Sequence, residues 1–313
     1  MNLHHRIILI LAIAAAAIIP ALHASAQSNQ VSPYSRYGYG LLSEQANTAQ
    51  RAMGGVGYAM RSGRQINFMN PASYAAIDSL TFLFDMGLDL KHLSTSDGDA
   101  KGSSTTGGLD YISIQAPLKK WLGASLGLIP FSEVGYSFGN EITNGVNSHT
   151  GSGGINQLYL GLGARPFKGF TLGVNVSYMF GTITNDTYIY GTSTSLFERV
   201  TEVRDYDLRF GIQYGFSFRT DHALTFGAVF SPEKWLRGNT YGEVYDVTND
   251  SQATRLDEKK LLHNAKTPAT YGFGVNYSWQ NRLMARPSSH TSPGKTCPSH
   301  RSRDSTTPPA DST

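Results

Sequence analysis

A strict period of two limits this chain more than any other feature. Tyr206, Leu208, Phe210, Ile212, Tyr214, Phe216 and Phe218 alternate with Asp207, Arg209, Gly211, Gln213, Gly215 and Ser217. Tyr271, Phe273, Val275, Tyr277 and Trp279 alternate with Gly272, Gly274, Asn276 and Ser278, and the stretches Leu172–Phe180 and Leu80–Leu90 behave alike. Successive strand side chains point to opposite faces, so each segment has one apolar wall and one small or polar wall.

The period fits two architectures, a soluble sandwich and a membrane barrel. The second walls carry Gly, Ser, Asn and paired charges rather than exposed Lys and Glu, which favours the barrel. Connections add to this. Short ones fall near Leu118–Lys120, Pro166–Gly169, Thr220–His222 and Gln280–Arg282, and long polar ones near 93–107, 139–152, 185–199 and 239–262. Short turns at one end and long loops at the other mark an outer-membrane barrel. Aromatic residues near strand ends (Tyr136, Phe138, Tyr188, Tyr190, Trp235, Tyr241, Tyr245 and Trp279) read as interfacial girdles. The fold expected is all-β: a transmembrane antiparallel up-and-down β-barrel. It is incomplete, with about eight strands of a larger barrel between 79 and 284.

The N-terminus gives the compartment. Arg6, the apolar stretch Ile7–Pro20 and the small residues Ala24-Ser25-Ala26 read as a secretory leader, residues 1–26, cleaved near Ala26; the alternative is a retained membrane anchor, for which the apolar core is short. The localisation expected is the outer membrane of a Gram-negative bacterium, with outer-membrane lipid as a partner. The low charge content, 16%, with 33 Gly, 17 Tyr and 15 Phe, suits such a wall. Without Arg6 and residues 285–313, 21 basic and 21 acidic residues remain, so nothing marks a nucleic-acid surface. The single Cys297 excludes a disulfide within the chain.

Residues 27–78 lack the alternation and are rich in Gly and apolar residues, including INFMNPASY (66–74). Asn70 is a helix cap and Pro71 suits a first helical position, so a short helix Pro71–Ile77 is expected. Such a segment must leave water, and the barrel lumen is available, so it reads as an N-terminal hatch, or plug, packed against a wall starting at Ser79. The Gly-rich MGGVG (53–57) has no phosphate-binding spacing and reads as tight turns.

In the third wall strand, Gly127 and Pro130 interrupt the pattern, because Pro130 cannot donate a ladder hydrogen bond. Either the strand ends at Ile129 and Phe131 opens a loop, or a kink parts the wall. Asp207 and Arg209 share a face and can pair across two positions, and Asp85 and Asp89 share another. These are lumen charges that support the wall or steer a ligand. His92, His149, His222 and His263 lack metal-ligand spacing, and no motif supports a His92/Ser94 catalytic pair. Neither catalysis nor a cofactor nor a metal is expected.

The segments SPYSRYGYG, RAMGG and INFMNPASYAAIDSLTFLFDMGL, followed by the barrel, resemble the FadL-like outer-membrane channels for hydrophobic compounds. The resemblance spans roughly 30–284 and is strongest over 31–90, judged by motif order. It implies that Asn70, Pro71 and Ala72 match the family's hatch motif, that Phe68, Met69 and Tyr74 hold the plug or line its pocket, and that Gly127, Pro130 and Phe131 form a lateral-gate kink. It further implies passive uptake of hydrophobic small molecules, long-chain fatty acids or aromatic hydrocarbons, through a lateral opening. The alternatives are a scaffold or shuttle of a protein secretion complex, with secretion-system proteins as partners, and a non-functional fragment. The chain departs from the family in strand number and in lacking a terminal aromatic strand. Residues 285–313 have no Phe, Tyr, Trp, Leu, Ile or Val, so they read as a disordered tail, natural or out of frame.

Overall fold

A computed structural model describes residues 32–77, 81–97, 100–142, 145–190, 195–219, 222–246, 254–256, 266–279, 283–285 and 287–291. The leader, Ser79, His263 and residues 292–313 lie outside them. In chain order the strands are β1 (Leu41–Leu42), β2 (Leu83–Asp97), β3 (Ala100–Lys119), β4 (Leu122–Ile142) and β5 (Gly145–Phe167). Next come β6 (Phe170–Tyr190), β7 (Ser195–Arg219), β8 (His222–Ser231), β9 (Lys234–Trp235) and β10 (Gly238–Asp246). The last are β11 (Thr254–Leu256), β12 (Lys266–Thr267), β13 (Thr270–Trp279), β14 (Leu283–Ala285) and β15 (Ser288–Thr291).

The main wall runs in the order β13-β8-β7-β6-β5-β4-β3-β2, and each of its ladders is antiparallel. Each strand thus pairs with its neighbour in sequence, apart from the excursion between β8 and β13. Among the described residues β2 and the β14/β15 side do not meet, so the sheet wraps the hatch without closing. This is the incomplete up-and-down barrel that the alternation predicts.

The outward rows show where a bilayer sits. On β7 the row reads Glu198, Val200, Glu202 and Arg204, then Tyr206, Leu208, Phe210, Ile212, Tyr214 and Phe216. On β6 it changes from Asp186, Thr184 and Thr182 to Phe180, Tyr178, Val176, Val174 and Leu172, and on β5 from Ser152 and Asn156 to Leu158, Leu160 and Leu162. On β6 and β7 the apolar part is about ten residues, the length that crosses a hydrocarbon core. Strands β5, β6 and β7 hold 23, 21 and 25 residues, so their polar halves project well beyond that band.

Three of the expected long loops are therefore strands. The β2–β3 ladder continues to Asp97 opposite Ala100, β4–β5 to Ile142 opposite Gly145, and β6–β7 to Ile189 opposite Ser195. Outside the bilayer neither face need be apolar, so the alternation fades from the sequence. The backbone groups still pair with one another. In the fourth such segment, 239–262, β10 continues along β7 and β11 folds back on it. Two short turns lie as expected, at Lys120-Trp121 and Lys168-Gly169, the latter with Gly169 at φ 89°.

Three further expectations change. The short helix expected at Pro71–Ile77 is a 3-10 helix that ends one residue earlier, Pro71–Ala76. The segment following the last hairpin does form strands: β14 pairs with Tyr277–Trp279 and β15 with Tyr271–Gly274. A bare strand edge offers backbone bonds to any sequence, so the absence of large apolar residues after 284 does not prevent pairing. Tyr136, read as a girdle residue, points inward and is buried.

Pro130 explains that inversion. The strand neither ends at Ile129 nor opens into a loop; β4 continues through a bulge in which Pro130 faces Asn156, Ser132 faces Ile155, and Phe131 is the extra residue. One extra residue exchanges the faces of everything beyond it. Before the bulge Gly123, Ser125, Gly127 and Ile129 are buried; after it Ser132, Val134 and Tyr136 are. Deletion of Phe131 in a Cys297→Ser background should reverse this. A cysteine at Tyr136 should become reactive to a soluble maleimide, while one at the exposed Ser137 should become protected.

The hatch seat and a slot in the wall

Hatch and wall meet through glycines. The 3-10 helix packs on Gly163 of β5, Gly173 of β6 and Gly211 of β7, while Tyr58 and Ala59 pack on Gly227 of β8 and Gly272 and Gly274 of β13. A Cβ built at Gly173 would lie 2.5 Å from the Ala72 nitrogen, one at Gly163 2.9 Å from the Ala75 nitrogen, and one at Gly272 2.6 Å from the Tyr58 ring. Real side chains do not approach backbone that closely, so the inward glycines define the seat.

Desolvated hatch backbone needs partners, and inward side chains of the wall supply them. Gln213 Nε2 donates to the carbonyls of Tyr58 (3.0 Å) and Met60 (3.1 Å). Gln115 Nε2 donates to Tyr74 O (3.1 Å), and Arg165 Nη2 to Ala75 O (2.6 Å). In return, Arg61 Nη1 of the hatch donates to Gly169 O at 3.0 Å. Within the hatch, Asn47 and Gln50 form a reciprocal capping box on the helix Thr48–Ala52. Gly54 and Gly55 take left-handed φ values of 80° and 76°, the tight turn expected of MGGVG.

The apolar surroundings of Asn70 follow from this seat. Its Oδ1 accepts from Ala72 N (3.0 Å), capping the 3-10 helix, and its Nδ2 donates to Tyr58 O (2.6 Å) and Ile212 O (3.3 Å). One amide therefore ties the cap, an earlier hatch turn and β7 together. Phe68, Met69, Asn70, Pro71, Ala72 and Tyr74 are all buried, as one packed unit. Phe68 meets Tyr111 edge-on at 5.3 Å and Tyr159 at 6.1 Å. Burial pushes the Tyr74 phenol well above its ordinary value and the Tyr58 phenol above it too, so both stay neutral at physiological pH.

The lumen charges do not pair as the sequence suggests. Arg209 turns to the hatch, donating to Gln45 Oε1 (2.5 Å) and Phe68 O (3.5 Å). Asp207 lies 3.7 Å from Lys234 Nζ, which also meets Asp205 at 3.4 Å. Asp85 accepts from the Tyr111 hydroxyl at 3.3 Å, and Asp89 pairs with Lys91 at 2.9 Å. His92 bonds Thr105 at 2.8 Å, away from any triad with Ser94. Two residues apart on a strand are neighbours, yet hatch oxygens and the inserted Lys234 of β9 offer closer partners.

Gly127, Pro130 and Phe131 stand where the wall divides. The β3–β4 ladder ends at Ile112 opposite Leu128, although both strands continue. A bulge lies on each strand at this level: Phe131 on β4, and Asp110 on β3, between Tyr111 opposite Gly87 and Leu109 opposite Leu88. Bulges bend and over-twist a strand, so β3 and β4 part here. Ion pairs bracket the slot. Lys91 of β2 reaches Glu133 of β4 at 2.6 Å, and Arg51 of the hatch meets Asp110 at 2.7 Å. Beside it, Val134, Tyr136, Ile155, Met179, Ile183, Val203 and Leu236 form an apolar cluster inside the projecting wall.

The signal for the seat was in the sequence, as glycines recurring at inward positions of five different strands. Lys91, Glu133, Arg51, Asp110 and Lys234 carried none, because their partners lie far away along the chain. Among the described residues no group of His, Cys, Asp or Glu could hold a metal ion.

A wall of alternating strands, a lipid-facing apolar band and a plug on its inner face define an outer-membrane β-barrel protein. A sequence model of the BamG family matches residues 6–291, nearly the whole length, and the chain belongs to that family. The match takes in β15, within the segment read from sequence as a tail. No curated protein matches the chain. Among solved structures, it is similar to a Pseudomonas aeruginosa FadL homologue, at 10% identity and a TM-score of 0.31 over 76% of this chain and 86% of that one.

Two substitutions test the seat. Gly173→Val should lower stability by about 1–3 kcal/mol through overpacking, whereas Gly108→Val, where a Cβ meets nothing, should leave it unchanged. Asn70→Ala leaves the buried Ala72 amide without its cap and removes one of the two donors to the Tyr58 carbonyl, Gln213 being the other, and should cost about 1–3 kcal/mol. Denaturant midpoints in detergent, with the gel shift between folded and heated protein, would measure both.

Proposed function

We propose that the protein is a plugged outer-membrane barrel that lets hydrophobic small molecules, long-chain fatty acids or aromatic hydrocarbons, pass through a lateral opening. The observation that carries this reading is the end of the β3–β4 ladder at Ile112 and Leu128. It coincides with the upper edge of the apolar band and lies beside the buried hatch residues Phe68 and Tyr74. A molecule in the outer leaflet would meet the wall where β3 and β4 part. Movement of the hatch, held by the side-chain bonds of Gln213, Gln115, Arg165 and Arg209, would open the inner path. The test is uptake of a fluorescent long-chain fatty acid by liposomes carrying the protein. Entry well above empty vesicles supports passage, and a rate equal to empty vesicles overturns it.

A second reading has its own observation. The hatch is latched by glycine contacts and by hydrogen bonds from at least four wall side chains, which suits a barrel that stays shut. The hairpins of β4–β7 rise beyond the bilayer band and offer surface to other proteins. On this reading the barrel scaffolds or shuttles a protein secretion complex. Purification from native membranes with a stoichiometric protein partner, together with no uptake in liposomes, would favour it. A partner-free protein with uptake would exclude it.

A further inference from the structure

The slot between β3 and β4 is occupied by the chain's own N-terminal segment. Leu41 lies opposite Glu133 and Leu42 opposite Ser132, as an antiparallel β1 on the edge that β3 leaves. Ser32 N donates to Gly135 O (3.0 Å), Ser43 N to Phe131 O (2.9 Å), and Gly135 N to Ser35 Oγ (3.1 Å). Gly40, at φ 88°, sits against the Glu133 carbonyl so closely that a Cβ would overlap it.

The segment is attached differently from the rest of the hatch. Tyr34, Tyr37 and Leu42 are 76%, 72% and 69% exposed, whereas Ile66–Ala75 is buried throughout. Backbone pairing holds it over fewer positions than the edge offers, together with Tyr39 packed on the apolar cluster and Arg36 over the Phe138 ring at 5.6 Å. Above the strap, no strand among the described residues pairs with β4 from Tyr136 to Ile142 on this side, and Ala100–Tyr111 of β3 pairs with β2 alone. This stretch lies above the apolar band, on the watery side, where unpaired strand edges invite a further strand.

We infer that the slot is a strand-accepting site, and that Ser32–Ser43 is a removable occupant holding the place of an extended segment of a partner protein. Recognition is by β-augmentation: backbone bonds to the freed edges of β4 and β3 supply binding, and small residues at the Gly40 position allow the close approach. The seated strap scales the apparent affinity for an incoming strand by the fraction of time the slot is empty. This goes beyond either functional reading and depends only on the slot.

The probe is a labelled peptide of the Ser32–Ser43 sequence, followed by fluorescence anisotropy on purified protein. Gly40→Val should expel the resident strap, since the new side chain strikes Glu133, while leaving the buried hatch alone. The peptide should then bind saturably, about tenfold or more tighter than to the unsubstituted protein. A disulfide joining cysteines placed at Leu41 and Glu133, in a Cys297→Ser background, should abolish binding until it is reduced. Failure of the Gly40→Val protein to bind the peptide, or binding that the disulfide leaves unchanged, overturns the inference. Dimers of the Gly40→Val protein would assign the slot to a second copy and overturn the partner assignment. Hydrogen exchange on the unsubstituted protein is an independent check. The Ser32 and Ser43 amides should exchange about 100-fold faster than β4–β5 ladder amides, and equal protection would show a fixed strap.

Discussion

The close approach of the 3-10 helix Pro71–Ala76 to the inward glycines of β5, β6 and β7 is the contact on which the rest of the molecule depends. A hatch inside a barrel takes its own backbone out of water, and each carbonyl and amide so removed must find a partner. The glycines let hatch backbone come within reach, and Gln115, Arg165, Arg209 and Gln213 then fill its hydrogen bonds. The same inward face therefore mixes two residue types with separate tasks, small ones that give space and long polar ones that reach across. The outward face has a single task, contact with lipid, and is correspondingly uniform. A residue exchanged between the faces would fail at either task, which is why register matters so much in this wall.

Two single-residue bulges modify that register at one place. Asp110 and Phe131 each add a residue to neighbouring strands at the top of the apolar band, and each reverses which side chains face inward above it. The strands separate, the N-terminal segment takes the vacated edge, and the ion pairs Lys91–Glu133 and Arg51–Asp110 bracket the gap. The parting of the wall, the inward turn of Val134 and Tyr136, and the seat of β1 thus share one cause. Proline is tolerated at this position because the ladder is interrupted there by a bulge.

Legibility from sequence followed the environment of each segment. Within the bilayer band, lipid on one side and the lumen on the other impose an alternation that is plain in 172–180, 206–218 and 271–279. Above the band both faces meet water or polar neighbours, so the ladders of 93–107, 139–152 and 185–199 look like loops. The cap at Asn70 and the apolar residues around it are legible because both are local, and Phe68 to Tyr74 are buried together. The charge pairs were misassigned, because Arg209 and Asp207 are adjacent in pattern yet each finds a better partner from elsewhere in the chain. Residues 288–291 were misread for a related reason, since strand pairing at a free edge asks for backbone groups rather than apolar side chains.

The all-β class, the outward apolar rows, the non-alternating segment before β2 and the break at Pro130 follow from local period or local backbone chemistry. Which strand edge the N-terminal segment occupies, which charges meet and how far the ladders run beyond the membrane emerge only from packing of the assembled wall. Those outcomes rest on contacts between residues distant in the chain. Local pattern specifies which groups need partners, and the assembled wall selects which partners they find.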